Sequence, residues 1–445
     1  YFFEDESYRL WAERNEPDYA CIIEQKSLSK MFNIRPLISV ITPVFNPPKE
    51  AFVEMIESVI RQTYDNWELC LADASTTPYV REIIEKYISG NQTKIKVKYL
   101  KTNKGISGNS NEALSMATGD YIALLDHDDA FAPFACFEVV KCINKNPDID
   151  FIYSDRDILT TQEKRMHPFF KPDWSPDYLL SQNYICHLNV FRKRLVYVLG
   201  GFREGYDGSQ DYDLALRVTE ATDRIFHIPM ILYHWRIVEG SAAIDPEAKP
   251  YAYDAAIKAL NDAFERRRWK GKVIEGASKG YYNPVFHINK HEKVSIVIAS
   301  EFKEGDGALK KCLDSIRNMT SYDNYEIIIV KSGASDADEL ARFQHMDNIK
   351  ILRYDGHFNF HEMSNYAVSA SEAEHIVFLG EDTEIVSHEW LEYMLGLSQR
   401  EETGIVGAKL LYLDGYVQAA GLIINKNGKA ILSHHRHPQD SSGYN

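Results

Sequence analysis

The stretch YIALLDHDD, residues 121–129, joins a short apolar run to three aspartates within four positions. Tyr121–Leu125 has the length and apolar content of a buried strand. Carboxylates that directly follow a buried strand repel one another unless water or a cation compensates their charge. The stretch therefore predicts a strand that ends at a polar pocket.

Similar strands alternate with amphipathic helices along the chain before this stretch. We predict strands at Leu37–Thr42 (ended by Pro43), 67–73 and 95–100, and helices at 51–61, 80–88 and 109–116. Such alternation indicates βαβ units and a parallel sheet. Ligands of these sheets bind beyond the carboxyl ends of the strands, which here carry Pro43, Asp73 and Asp126–Asp129. We therefore expect an α/β, Rossmann-related fold with its pocket at this edge.

The second half of the chain repeats the first. VSIVIAS (294–300) resembles ISVITPV (38–44), and SNYAVSASEAEHIVFLGED (364–382) resembles SNEALSMATGDYIALLDHD (110–128). The offset between the copies stays at 254 to 258 residues, which predicts two tandem α/β domains with mostly parallel sheets. The predicted organisation is a helical lead-in at 1–35, a first domain at 36–270, a linker at 271–293 and a truncated second domain at 294–445.

The acidic cluster suits a divalent cation. Asp126, Asp128 and Asp129 offer carboxylate oxygens, the ligands that Mg²⁺ and Mn²⁺ prefer. An acidic turn with an aspartate capping the next helix is the alternative, and it needs no metal. Asp73 likewise is either a turn aspartate or an acceptor for an N–H of a pyrimidine base.

Two further polar elements follow in the chain. The stretch GYDGSQDYDLALRV (205–218) places Asp211 at the start of an amphipathic helix, where it is either a cap or a general base on a sugar hydroxyl. Interaction with the helix dipole accounts for its neighbour Asp213. His234 follows an apolar strand, and a histidine there is either structural or a metal ligand.

In this order, these elements resemble the family 2 glycosyltransferases with a GT-A fold over about residues 36–245. The motifs are ISVITPVFN, LADAST, SGNSNEAL, YIALLDHDD, GSQDYDLALR and YHWR with Ser241 after it. The segment FKPDWSPDYLLSQNYICHLNVFR (170–192) and the tandem arrangement resemble the bacterial branch that builds O-antigens, capsules and rhamnose-rich polymers. Gln210 stands where the family often has glutamate.

The resemblance implies an inverting transferase that takes a sugar from a nucleotide diphosphate with Mg²⁺ or Mn²⁺. Asp211 is then the catalytic base, and Asp128 and His234 are metal ligands. The implied contacts with the donor are Thr42, Pro43, Phe45, Asp73, Asn103, Asn111, Asp126, His127, Asp128, Trp235 and Arg236. A UDP- or dTDP-linked sugar is the expected donor, and an oligosaccharide or lipid-linked saccharide is the expected acceptor.

The second copy departs from this pattern at the positions that matter for donor binding. Lys331 replaces Asp73 and Gly380 replaces Asp126, whereas Asp128 is kept as Asp382. We therefore expect the second domain to be catalytically incomplete, as a truncated transferase or as a carbohydrate-binding or scaffold module.

Composition excludes several other classes of protein. The net charge of −15 argues against nucleic-acid binding. The sequence has no run of 18 apolar residues, its opening lacks the basic region of a signal peptide, and its six cysteines form no CxxC pair. These features predict a cytoplasmic protein with reduced thiols, and the resemblance adds peripheral contact with the inner membrane face or an assembly complex.

A nucleotidyltransferase is the closest enzymatic alternative, because it uses a similar sheet and the same kind of acidic metal site. That class favours a glycine-rich, basic phosphate loop after the first strand, and VFNPPKEA at 44–51 is not such a loop.

Overall fold

The computed structural model describes residues 6–90, 93–160, 162–237, 250–301, 307–332 and 348–441. Ser241 lies outside the described residues. Among those described, a first compact unit extends to Arg268 and includes Val273–Pro284, and a second holds Trp269–Lys272 and the chain from Val285 onward. The predicted linker at 271–293 spans this division and contains two short paired strands.

The first unit contains ten α-helices among the described residues. They are α1 (Glu6–Asn15), α2 (Tyr19–Leu28), α3 (Lys49–Ile60), α4 (Pro78–Ser89), α5 (Gly105–Met116), α6 (Ala135–Lys145), α7 (Pro176–Ser181), α8 (Lys193–Val198), α9 (Gln210–Ala221) and α10 (Pro250–Arg266). The predicted lead-in is helical, as α1 and α2, followed by a short 3-10 turn at Ser29–Met31.

The strands of the first unit form one sheet. They are β1 (Ile38–Val44), β2 (Trp67–Asp73), β3 (Ile95–Tyr99), β4 (Tyr121–Leu124), β5 (Ala130–Phe131), β6 (Phe151–Leu159), β7 (Arg165–Phe169), β8 (Asn189–Arg192) and β9 (Ile225–Arg236). The paired strands after them are β10 (Gly271–Glu275) and β11 (Tyr282–Phe286).

The strand order is β3-β2-β1-β4-β8-β6-β9-β5, with β7 paired to β6. The four strands from β3 to β4 are mutually parallel, and all seven residues of β2 are buried. Full burial is expected for a parallel strand that is covered on both faces. Strand β8 then runs antiparallel to β4 and to β6, and β9 runs parallel to β6. The sheet therefore continues past β4 through β8, β6 and β9.

Strand β1 continues through Pro43, so the prediction that Pro43 ends this strand was wrong. Pro43 pairs with Ala72 of β2, whereas the pairing of β1 with β4 stops at Ile41. Past Ile41, β1 forms no further backbone hydrogen bonds with β4. Proline, which has no backbone N–H to donate, is therefore tolerated at position 43. The free side of β1 faces the region where the pocket was expected.

A buried polar cluster lies at the opposite end of β1 and β2. The Ser39 hydroxyl donates to Glu68 (2.7 Å), which also accepts from the Thr118 backbone N–H (2.6 Å). Gly119 donates its N–H to the Ser39 oxygen (2.9 Å), and a Cβ at Gly119 would approach the carbonyl oxygen of Leu37 to 2.3 Å. Glycine is therefore required at this close backbone approach.

The second unit has a smaller, fully parallel sheet. Its helices are α11 (Ala308–Met319), α12 (Phe360–Ser369) and α13 (Trp390–Ser398), and its strands are β12 (Val294–Ser300), β13 (Tyr325–Ser332), β14 (Ile349–Tyr354), β15 (His375–Phe378), β16 (Leu410–Leu411), β17 (Val417–Ala419), β18 (Leu422–Ile424) and β19 (Ala430–Leu432). The order β14-β13-β12-β15 repeats β3-β2-β1-β4, and the last four strands form two hairpins.

The prediction of tandem α/β units is confirmed by this repeated order. None of the helices in the described ranges is long and apolar enough to cross a membrane. All six cysteines are unpaired thiols.

Candidate functional site

A cavity of about 420 Å³ opens where β1 and β4 end, within the first unit. Five residues singled out from the sequence line it, namely Pro43, Asp126, Asp128, Asp211 and Trp235. They come from β1, the turn after β4, helix α9 and strand β9. Because β1 and β4 are parallel, their carboxyl ends lie together, and the antiparallel half of the sheet supplies the facing wall.

Asp129 is the structural member of the acidic cluster. Its buried carboxylate accepts hydrogen bonds from the Tyr233 hydroxyl (2.5 Å) and from the backbone N–H of Arg236 (2.7 Å). Burial, followed by the charges of Asp128 and Asp126, raises the pKa of Asp129 well above its usual range. The cluster thus concentrates negative charge where water is scarce, and a divalent cation would relieve that repulsion.

Asp211 lies in the first turn of α9 and reaches the same cavity. The turn before this helix contains Gly208, whose φ is +85° and where a Cβ would approach the Cβ of Ala252 to 2.7 Å. The Asp211 Oδ2 accepts a hydrogen bond from the Asn183 amide (3.1 Å). Asp211 is therefore held at the cavity wall by both its helix and a neighbouring segment.

Asp213, two residues further on, is structural. It is fully buried and pairs with the guanidinium groups of Arg203 and Arg217, with 2.7 Å between the Arg217 Nη2 and the Asp213 carboxylate. The sequence explained Asp213 by its interaction with the helix dipole. In the structure, Asp213 also forms ion pairs with side chains, which gives it a structural role.

His187 brings an imidazole to the acidic residues. Ligand atoms of Asp126, Asp129 and His187 lie within 4.8 Å of one another, and the same holds for Cys186, His187 and Asp211. Burial, followed by the positive charges of Arg156 and Lys171, lowers the pKa of His187 well below its usual range. The ring is therefore neutral, which is the form that binds metals.

Arg156 contributes positive charge to the lining of the cavity. It is on β6, and its guanidinium lies 4.7 Å from the centroid of the Trp235 ring. Guanidinium groups bind phosphates through paired hydrogen bonds, and stacking on an aromatic ring fixes their orientation. The cavity thus combines carboxylates, which suit a metal ion, with a guanidinium group, which suits a phosphate.

His234 lies outside the lining of this cavity. It pairs with Ala130 across β9 and β5, and its Nδ1 is 2.6 Å from Oδ1 of Asp157. Asp157 also accepts from the Tyr8 hydroxyl (2.6 Å) and from Arg165 Nε (2.5 Å). Among the described residues, the groups of converging ligand atoms include His187 and not His234. The metal role of His234 stays a prediction.

Arg236 holds the acidic turn in place. Besides its backbone bond to Asp129, its Nε donates to the carbonyl oxygen of Asp128 (2.9 Å), and its Nη1 donates to Glu163 (2.6 Å). These bonds fix the backbone that carries Asp126 and Asp128. The contact of Arg236 with the donor stays a prediction.

Three of the residues predicted to contact the donor, Thr42, Phe45 and Asp73, lie at the ends of β1 and β2, outside the cavity lining. Asp73 is buried and accepts from the backbone N–H of Ser75 (2.9 Å), while Phe45 is 43% exposed. The buried hydroxyls of Thr42 and Tyr99 have no hydrogen-bond partner among the described residues. The binding roles of Thr42, Phe45 and Asp73 remain predictions.

Three further predicted contacts have partners within the protein. Asn111 exchanges two hydrogen bonds with the backbone of Phe202 (2.7 and 2.9 Å). Asn103 Oδ1 accepts from the backbone N–H of Gly105 (3.0 Å), and His127 Nδ1 lies 3.2 Å from the carbonyl oxygen of Pro43. These bonds stabilise the loops around the cavity, and direct contacts with the donor stay predictions.

Among the cavity residues that the sequence reasoning missed are Arg156, Asn183, Cys186 and His187. A run of polar residues in an otherwise apolar strand, SDRD at 154–157, was one available signal for Arg156. The other three lie in the segment 170–192, which carried part of the family resemblance without a role being assigned to these three residues.

Comparisons with known proteins identify longer relatives of this chain. The chain is 40% identical over 417 residues to the protein y4gI of Sinorhizobium fredii, covering 92% of this chain and 46% of the relative. It is 33% identical over 428 residues to the O-antigen biosynthesis protein RfbC of Myxococcus xanthus, covering 95% of this chain and 33% of the relative. The chain thus spans less than half the length of both relatives.

A solved structure, that of S. aureus TarS 1-349 in complex with UDP, matches with a TM-score of 0.38 and 20% identity, covering 52% of this chain and 71% of that one. The sequence profile described as Glycosyl transferase family 2 matches twice, at residues 39–200 and 295–425. The two matches coincide with the two repeats. The chain therefore belongs to glycosyl transferase family 2, with a copy of the family's domain in each unit.

Proposed function

We propose that the first unit is an inverting, metal-dependent glycosyltransferase that uses a nucleotide-diphosphate sugar and takes Asp211 as its general base. The observation that supports this proposal is the convergence of Asp126, Asp128 and Asp211 on one cavity of about 420 Å³. A cavity of this size, lined by acids and by Arg156, suits a sugar joined to phosphates.

The residues of the cavity fit a divalent ion, Mg²⁺ or Mn²⁺. Asp126 and Asp128 offer hard carboxylate oxygens, and Asp129 lies buried beside them, where burial, followed by their charges, raises its pKa. Asp128 and His234 remain the ligands that the resemblance implies, and His187 is a further candidate. When bound, the ion would stabilise the negative charge of the leaving diphosphate.

The remaining chemistry is carried out by side chains of this chain. Asp211 accepts the proton of the acceptor hydroxyl while the hydroxyl oxygen forms a bond to the anomeric carbon. The bond from that carbon to the phosphate oxygen breaks, and the diphosphate leaves with the electron pair. Arg156 is placed to bind a phosphate oxygen, and Trp235 covers one side of the cavity. A single displacement of this kind inverts the anomeric configuration.

We infer that the acceptor is an oligosaccharide or a lipid-linked saccharide and that the product is a bacterial surface polysaccharide. The relative named for O-antigen biosynthesis supports this substrate class. A UDP- or dTDP-linked donor and hexosyl or rhamnosyl transfer follow from the resemblance, as do a cytoplasmic location and peripheral contact with the membrane or an assembly complex.

For the second unit we propose a non-catalytic role in binding carbohydrate or in scaffolding. Lys331 is buried at the position that corresponds to Asp73, and Gly380 replaces Asp126. A lysine there cannot accept an N–H from a nucleobase, and a glycine offers no ligand to a metal.

The decisive experiment replaces Asp211 with asparagine. The variant is expected to keep its affinity for the nucleotide diphosphate and to lose sugar transfer by about 10²-fold or more, because an amide is not a base at neutral pH. Asp223→Asn, at an exposed position just after α9, is the matched control and should transfer normally. Turnover by Asp211→Asn close to that of the parent would remove Asp211 as the base.

A further inference from the structure

The segment between α7 and β8, residues 182–187, forms one wall of the cavity through Asn183, Cys186 and His187. A buried lysine fixes its backbone. The ammonium group of Lys171 donates to the carbonyl oxygens of Ile185 (3.1 Å) and His187 (2.6 Å). One buried side chain therefore joins two carbonyl groups of the segment.

Asn183 directs its amide at the carboxylate of Asp211. Its Nδ2 lies 3.1 Å from Oδ2 of Asp211, while its own Oδ1 is buried without a hydrogen-bond partner among the described residues. The reversed amide would place two oxygens against each other, so the bond to Asp211 determines the orientation of this side chain. The donor is neutral, and it therefore restrains the carboxylate without adding a charge.

Cys186 approaches the same carboxylate as a neutral thiol. Burial, followed by the charge of Asp211, raises the pKa of the Cys186 thiol well above its usual range. A neutral thiol is at most a weak hydrogen-bond donor. Of these two neighbours from the segment, Asn183 is therefore the stronger hydrogen-bond donor to the carboxylate.

We propose that Asn183 is a positioning residue for the transfer reaction, which holds one oxygen of Asp211 so that the other faces the acceptor hydroxyl. This inference rests on the proposed function, in which Asp211 is the base. A carboxylate that is free to rotate spends less time in the geometry that accepts the proton, so loss of the amide lowers the rate of the chemical step rather than the affinity for the donor.

The test compares Asn183→Ala with Asn183→Asp in steady-state transfer assays. We expect kcat to fall by about tenfold or more in Asn183→Ala and the KM for the donor to stay unchanged. The fall in kcat is a part of the rate enhancement that a general base typically contributes. Asn183→Asp keeps the volume of the side chain, removes the donor and adds a like charge beside Asp211, so its loss should be larger.

Asn15→Asp is the matched control, since it makes the same chemical change at an exposed position of α1. Thermal unfolding and nucleotide affinity report whether each variant is folded. Parental kcat in both Asn183 variants, or a loss confined to KM, would overturn the positioning role. Turnover by Asp211→Asn would instead overturn the proposed function itself, so the two failures are distinguishable.

Discussion

The two units share a scaffold and differ at one edge of it. Strand β1 pairs with β2 over seven positions, and β12 pairs with β13 over seven in the corresponding register. In both units a serine of the first strand donates to a glutamate of the second at 2.7 Å, Ser39 to Glu68 and Ser295 to Glu326. The sheet and its internal polar contacts have thus been kept in both copies.

The differences lie where the strands end. In the first unit, Asp73 is the last residue of β2, Asp126 follows β4, and β8 continues the sheet beyond β4. In the second unit, Lys331 and Gly380 take those places, and β15 is the last strand of its sheet among the described residues. The order of the four parallel strands is the same with either set of residues at these two places.

The largest expected difference between the copies is catalytic. Asp126→Asn should lower sugar transfer by about 10²-fold or more, because an amide binds a divalent ion more weakly than a carboxylate and leaves the diphosphate less stabilised. Asp382→Asn, at the position that corresponds to Asp128, should leave transfer unchanged.

Calorimetry with a nucleoside diphosphate extends this comparison to the metal. The parent is expected to bind in Mn²⁺ and not in chelator, and Asp126→Asn should bind weakly in both. Equal affinity in Mn²⁺ and in chelator would argue against the metal, and loss of transfer in Asp382→Asn would assign catalysis to the second unit as well.

A smaller difference concerns stability in acid. Burial alone would raise the pKa of Glu68, but its bonds from Lys96, Thr118 and Ser39 lower it to about 2 from 4.5. A carboxyl with a lower pKa in the folded state stabilises the protein above pH 4.5, and this contribution disappears as the pH falls toward 2. Glu68→Gln should therefore cost roughly 3 kcal/mol at pH 7 and less at pH 3.

The matched variant Glu326→Gln should cost less. Burial alone would raise the pKa of Glu326, but its bonds from Lys293 and Ser295 lower it overall. The side chain of Glu326 is 18% exposed, against 6% for that of Glu68. Urea unfolding of the two variants at pH 7 and pH 3 measures both effects. A larger loss in Glu326→Gln than in Glu68→Gln would contradict the comparison.

The smallest difference is expected at the ends of β4 and β15. Leu124 lines the cavity, whereas the corresponding Phe378 is 55% exposed. Leu124→Ala should lower the free energy of unfolding by about 1–2 kcal/mol, less than a fully buried leucine would. Phe378→Ala should change it by at most about 0.5 kcal/mol. Chemical denaturation measures both, and a loss above about 1 kcal/mol in Phe378→Ala would show that β15 is covered.

Local pattern was sufficient for much of the fold. The strand at 67–73 has the predicted bounds, and the repeat predicted a second α/β unit, in which the strand order of the first recurs. The end of β1 was mispredicted, because a proline normally interrupts a ladder and the sequence does not reveal that β4 has already left it. The site was predicted in part: Asp126, Asp128 and Asp211 share the cavity, but its neighbouring histidine is His187.

The sequence by itself determined the family, the tandem repeat and the edge of the sheet at which polar residues gather. These follow from short-range periodicity and from motifs, which residues close together in the chain carry. Only the tertiary structure decided that His187, Arg156 and Asn183 face the acids, and that His234 contacts Asp157. Their positions depend on the pairing of β8, β6 and β9, which joins residues distant in the chain and leaves no local periodic signal.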